Sequence, residues 1–166
     1  NGNKKKLNFD INNFKKFKDK IEYIVVDTQP QNILKLTDGE PKDKRGKKLI
    51  LNGMARDYFQ RENITKGLKE AANEDLILIS DLDEIPNLES LNLKDINNNI
   101  VIFEQKMFYY KFNLYYSDFV WQGTKATKNK NFLSPQWLRN IKGKKYPKWR
   151  IDTFFSKKKY SNLIYI

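Results

Sequence analysis

Three carboxylates fall within four residues where an apolar run ends, in Leu76-Ile77-Leu78-Ile79-Ser80-Asp81-Leu82-Asp83-Glu84-Ile85-Pro86. The four apolar residues follow a polar Asn73-Glu74-Asp75 turn. A run this short reads as a buried strand rather than a helix. Side chains at i and i+2 of a strand share a face. Asp81 and Asp83 are therefore expected to point the same way at the strand's exit, with Pro86 ending the pairing. Carboxylates on one face repel unless a cation sits between them. Mg²⁺ and Mn²⁺ accept such oxygen ligands, commonly one or two carboxylates completed by phosphate oxygens. Open α/β sheets bind ligands at the carboxyl ends of their strands. The chemistry expected of Asp81 and Asp83 is a metal–diphosphate site; the competing reading is an acidic surface turn.

Composition narrows the class. A chain of 166 residues is one domain or part of one, and a single domain over 1–166 is expected. The 39% apolar content, with 11 Phe, 9 Tyr and 3 Trp, supplies a core and argues against disorder. No stretch reaches the ~18–20 apolar residues of a membrane span, and Asn1 opens no signal-peptide pattern. The chain has no Cys and no His. That excludes disulfides, thiolate or histidine metal sites and a His-based triad within these residues, and suits a cytoplasmic location. Peripheral membrane association stays open. A net charge of +12 attracts polyanions, anionic membranes or anionic small substrates. The lysines are scattered over Lys4–Lys6, Lys15-Lys16, Lys42–Lys48, Lys142–Lys148 and Lys157–Lys159. They read as a solvated surface, and no specific nucleic-acid partner is expected.

The elements around the carboxylates suggest an α/β chain. Phe9, Ile11, Phe14 and Phe17 suggest a short helix capped by Asn8 or Asp10. Ile21–Asp27 is β-branched and aromatic and reads as a strand, with Asp27 either a turn former or a ligand contact. Thr28–Lys48 reads as a long loop. Leu49–Ala72 carries the longest helical pattern, with Leu51, Met54, Ala55, Tyr58 and Phe59 on one stripe, an Asp57–Arg61 pair, and Gly67 set for close packing. Strand, long helix, strand favours a largely parallel first sheet. Ile100–Gln105 and Phe119–Thr124 read as further strands, the latter antiparallel. The aromatic run Met107–Tyr116 either extends the former or makes its own strand. Ser134-Pro135 is a helix start, and Ile151–Phe155 and Leu163–Ile166 read as closing strands.

In this order the stretches resemble glycosyltransferase family 17, the β-1,4-mannosyl-glycoprotein β-1,4-N-acetylglucosaminyltransferase-like enzymes. The resemblance is carried by Asp75–Pro86, by Arg56–Ile64 with Gly67-Leu68, by Met107–Asn113, by Trp121 with Gly123-Thr124, and by Ser134–Arg139. It implies a GT-A-like fold, a mixed sheet flanked by helices, present here in part. The family's first strand is expected before Asn1 and its Gly-Gly-Trp-His-Phe segment after Ile166. The implied activity is metal-dependent, inverting transfer of GlcNAc from a UDP-sugar to a glycan or surface-polysaccharide acceptor. By resemblance, Asp83 holds Mn²⁺ or Mg²⁺, and Asp81 faces the ribose or a metal-bound water. Arg61 joins them as a candidate contact to the nucleotide-sugar. Glu84 is either a support for these groups or purely structural.

Inversion needs a general base for the acceptor hydroxyl. After Glu84 the acids are Glu89, Asp95, Glu104, Asp118 and Asp152. Glu104, at a strand exit, and Asp118, in an aromatic stretch, are the candidates, alongside a base beyond Ile166. The Tyr109–Tyr116 cluster and Trp121 are either core or a stacking platform for sugar or uracil. Lys125 and Arg139 are either phosphate contacts or solvated surface. Two other functions compete. One is an Asp-x-Asp phosphotransferase with Asp81 as nucleophile. The other is a basic module for single-stranded nucleic acid.

Overall fold

A computed structural model describes residues 6–89, 91–92, 96, 100–111, 113–141 and 163–165. The chain divides into two compact units, Asn1–Glu70 and Ala71–Ile166.

In the first unit a 3₁₀ segment, Ile11–Lys20, is capped by Asp10, which accepts from the Asn12 N–H at 2.9 Å. Ile21–Asp27 forms no strand and has no strand partner among the described residues, which corrects the strand expected there. β-branched residues fit a pleated surface; they do not supply the neighbour that makes one. Helix α1 spans Lys42–Glu62 behind Pro41, so it takes the last part of the expected loop. It passes into a 3₁₀ turn, Asn63–Leu68. Asp57 and Arg61 pair at 3.1 Å, as their i,i+4 spacing predicts. The expected apolar stripe is not the buried face: Leu51, Met54 and Tyr58 are exposed. The buried residue is Asn52, which accepts from the Leu34 N–H at 2.7 Å and donates to the Leu34 carbonyl at 2.8 Å. A Cβ on Gly67 would meet Glu22 and Ile24 at 3.4 Å, a snug fit against the Ile21–Asp27 segment.

The second unit contains two sheets. The first is built from β1 (Leu76–Ile79), β2 (Ile100–Ile102), β5 (Lys125–Lys128) and β6 (Leu163–Tyr165), in the order β1-β5-β2-β6. Both neighbours of β5 run antiparallel to it, and only β2 and β6 are parallel. The sheet is mixed, as expected, but its site-bearing half is antiparallel rather than parallel. Strand β5 was not legible in the sequence, and it occupies an interior position. The second sheet is the hairpin of β3 (Gln105–Phe108) and β4 (Tyr115–Trp121). The hairpin realises the reading that gives Met107–Tyr116 its own strand pairing. Helix α2, Pro135–Asn140, starts as its sequence predicts, with Ser134 accepting from the Trp137 N–H at 3.2 Å. Ile151–Phe155 lies outside the described residues.

The strand register sorts the core into two faces. Leu78, Ala126 and Val101 align across β1, β5 and β2, on the same side as Leu76. They pack with Phe103, Ile96 and Leu91. The alternate positions, Ile77, Ile79, Thr127 and Ile102, are buried on the other side. Helix α2 contacts both β1 and β5 and buries Leu138. The run Leu76–Ile79 is apolar throughout because both its faces are covered. Phe103 is 1% exposed. Phe103→Ala is expected to cost about 3–5 kcal/mol, read as a lower urea midpoint at unchanged slope.

Candidate functional site

Antiparallel pairing assembles the site. Ile79 lies opposite Lys125, so the exit of β1 meets the entrance of β5. Ser80 and Thr124 hydroxyls hydrogen-bond at 2.7 Å. The Ser80 hydroxyl also donates to the Glu84 carbonyl at 2.9 Å. The chain turns at once: the Glu84 N–H reaches the Asp81 carbonyl at 3.0 Å. Asp81 and Asp83 thus sit in a turn beyond the strand, and the expectation that strand alternation aligns them does not hold. Pleat geometry ends with the ladder at Ile79.

The turn is organised around Glu84, whose side chain is 4% exposed. Its carboxylate accepts from the Asp81 N–H at 3.0 Å and from the Trp121 indole N–H at 2.7 Å. Arg139, at the end of α2, donates to both oxygens, at 2.8 and 3.2 Å. The same guanidinium pairs with Asp81 at 2.6 Å and donates to the Gly123 carbonyl. Burial by itself would push the Glu84 carboxyl up; the Asp81 N–H, the Trp121 indole and the Arg139 charge outweigh it and hold the carboxyl below its ordinary value. Gly123 is required by close approach. A Cβ there would lie 2.1 Å from Glu84 Oε1 and 2.3 Å from the Trp121 indole nitrogen.

Lys125 and Arg139 are not solvated surface. Lys125 is 4% exposed and its ammonium donates to the Arg139 carbonyl at 2.7 Å. Arg139 is spent on carboxylates of the chain rather than standing open to phosphate. Asp83 is different: it is exposed at the outer side of the turn, between Leu82 and Ile85, which are also exposed.

The other candidates have these partners. Glu104 is exposed and accepts from Gln122 at 3.1 Å, one residue before Gly123. Asp118 is exposed on β4 and accepts from Ser117 at 3.0 Å. Arg61 belongs to the first unit, on α1, where it pairs with Asp57. Asp95 and Asp152 lie outside the described residues. Phe108, Tyr115, Tyr116 and Phe119 of β3 and β4 are exposed, which corrects the reading that makes them core, while Trp121 is half-buried against Glu84. Sequence reasoning left Glu84 undecided and missed Arg139 as its partner. The available signal was the order of Trp121, Gly123-Thr124 and Arg139 after the acidic turn.

The exposed Asp83 carboxylate offers an oxygen ligand of the kind Mg²⁺ and Mn²⁺ take. Among the described residues no group of three or more His, Cys, Asp or Glu side chains is placed to hold a metal ion. The exposed Asp83 carboxylate, beside an Asp81 already oriented by Arg139, matches sites that take one or two protein carboxylates and complete the shell with phosphate oxygens and water. Among the described residues no helix is long and apolar enough to cross a membrane. No protein-family model, curated protein or solved structure matches the chain.

Two outcomes follow from the buried cluster. The Glu84 value is depressed on folding from its ordinary 4.5. Its stabilisation is present above about pH 4.5 and is lost as pH falls through the folded value. Urea denaturation at pH 7 and pH 3.5 should therefore show a smaller acid loss for Glu84→Gln than for the parent chain. Gly123→Ala should cost about 3 kcal/mol, since the carboxylate it displaces cannot move without breaking its pairing with Arg139.

Proposed function

We propose that the chain is a metal-dependent, inverting glycosyltransferase of GT-A type. It transfers a sugar, with GlcNAc the first to test, from a UDP-sugar to a glycan or surface-polysaccharide acceptor. One observation carries this reading. The separate segments that resemble glycosyltransferase family 17 converge in space: Asp81 meets Arg139 across 58 residues of sequence, Glu84 meets Trp121 across 37, and Ser80 meets Thr124 across 44. An acidic surface turn of no function does not require a buried Arg–Glu anchor or a glycine held against it.

In this reading Asp83 binds the cation through its exposed carboxylate. Bound Mn²⁺ or Mg²⁺ supplies Lewis-acid stabilisation of charge on the departing diphosphate. Arg139 fixes the Asp81 carboxylate, which faces the ribose or a water on the cation. Glu84 holds the turn that carries both aspartates. Of the two candidate bases, Glu104 is favoured over Asp118, because its partner Gln122 adjoins Gly123 in the anchor. Proton transfer from the acceptor hydroxyl to Glu104 would accompany attack at the anomeric carbon, with UDP leaving from the opposite face.

Calorimetric titration of UDP with and without Mn²⁺ tests the reading. The expected result is binding that requires Mn²⁺ and disappears in Asp83→Ala, while the thermal midpoint of that variant stays close to the parent's, since Asp83 is exposed. A folded chain that does not bind UDP, or binds it equally without Mn²⁺ and in Asp83→Ala, overturns it.

A further inference from the structure

The β3–β4 hairpin displays Phe108, Tyr109, Tyr110, Tyr115, Tyr116 and Phe119 to solvent, with Trp121 half-buried at its inner end. Cross-strand pairing puts Tyr116, opposite Met107, and Trp121, opposite Gln105, on one face, and Phe108 and Tyr115 on the other. A register shift between Lys106 and Met107 inserts extra residues in β4 and sets Tyr116 beside Phe119. The rings of Tyr109, Tyr116, Phe119 and Trp121 then form a continuous row. Tyr109 and Tyr116 centroids are 5.5 Å apart, Tyr116 and Phe119 6.5 Å, Phe119 and Trp121 6.2 Å. At the outer end Tyr110 extends the row, 98% exposed and with a φ of 60°. A tyrosine in the left-handed region is strained where Gly or Asn would not be. Strain of this kind gathers at functional positions. At the inner end, the Trp121 indole is bonded to Glu84, so the row runs from open solvent to the turn that carries Asp81 and Asp83.

The charge on the hairpin selects the occupant. The chain carries +12, yet Gln105–Trp121 contains only Lys106, Lys111 and Asp118 as charged residues. Lys106 is on the opposite face, where its ammonium lies 5.9 Å from the Tyr115 ring. Binding to nucleic acid or an anionic membrane draws on clustered Lys and Arg, and the hairpin's two lysines, Lys106 on the opposite face and Lys111 in the turn, form no such cluster. Pyranose rings offer an apolar C–H face to stack on an aromatic ring and hydroxyls at their edge, which tyrosine hydroxyls can meet. Resting on the transferase reading above, we propose that the Tyr109–Tyr116–Phe119–Trp121 row is the acceptor track, and that its occupant is an uncharged oligosaccharide laid along the hairpin toward the acidic turn.

Calorimetric titration of neutral trisaccharides of GlcNAc, mannose and galactose into the full chain tests this, with Mn²⁺ and UDP titrated in parallel. Saturable binding of at least one is expected. Phe119→Ala should weaken it about tenfold, while Phe108→Ala, on the other face, leaves it unchanged; Mn²⁺-dependent UDP binding should survive both substitutions. Absence of saturable binding, or equal loss in both variants, overturns the track. So does steeply salt-dependent binding of a single-stranded RNA oligomer to the row in place of the sugars. Mn²⁺-dependent UDP binding without oligosaccharide binding sinks the track and spares the transferase reading. Oligosaccharide binding along the row without UDP binding sinks the acceptor role together with that reading.

Discussion

The second unit depends on one buried charge. Glu84 carries a carboxylate with almost no access to water, and an unpaired charge there would not be tolerated. Four N–H groups answer it, two of them from the planar fork of Arg139, whose geometry matches a carboxylate. Each donor belongs to a different part of the chain: the Asp81 backbone, the end of β4, and the end of α2. Satisfying one side chain therefore fixes three segments relative to one another. A pair of this kind is weak evidence of net stability against an apolar substitute, but breaking it on one side is costly. Its better-founded role is to specify geometry: the acidic turn can close in only one way while Arg139 bridges Glu84 and Asp81.

Strand direction decides whether such a cluster can form. Because β5 runs antiparallel to β1, its entrance lies beside the exit of β1. Trp121, Gly123 and Thr124, just ahead of β5, are then delivered to Ser80 and Glu84. A parallel β5 would deliver Lys128 to that end and leave the carboxylate without the indole or the glycine gap. Packing of α2 on the β1 and β5 face brings Arg139 to the same point. Lys125 closes the arrangement from beneath, spending its ammonium on the last turn of that helix.

The parts legible in the sequence are those with a local cause. Ser134-Pro135 starts a helix because the cap and the fixed proline φ act within one turn. Asp57 and Arg61 meet because helical spacing puts them together. Leu76–Ile79 is a strand with two covered faces, and its composition says so. The parts that were not legible have distant causes. Lys-Ala-Thr-Lys is polar in composition, and it becomes an inner strand because it pairs with both β1 and β2 and buries Ala126 and Thr127, the Lys125 ammonium being satisfied by a carbonyl in α2. Ile21–Asp27 has strand composition and lacks a partner. The aromatics after Met107 have core composition, but a two-stranded hairpin has two faces, and of the strand aromatics only Trp121 is half-buried, against Glu84. Of the site, the acidic residues could be read directly. Their grouping could not, because Arg139 is 55 residues from Glu84 and reaches it only through the fold.

The three acids of the turn are consequently not equivalent, and their difference is what the proposed chemistry uses. Asp81, Asp83 and Glu84 placed so closely would repel one another strongly if all were bare. Arg139 relieves this by engaging Glu84 and Asp81 together, leaving Asp83 outside the cluster and in water. A carboxylate already paired to a guanidinium is a poor competitor for a hydrated divalent ion; one standing alone beside fixed negative neighbours is a good one. The anchor thus supports the turn and also divides the roles between its aspartates. In the proposed chemistry Asp81 is the orienting group, and Asp83 is the carboxylate left for a cation that arrives with its own phosphate oxygens.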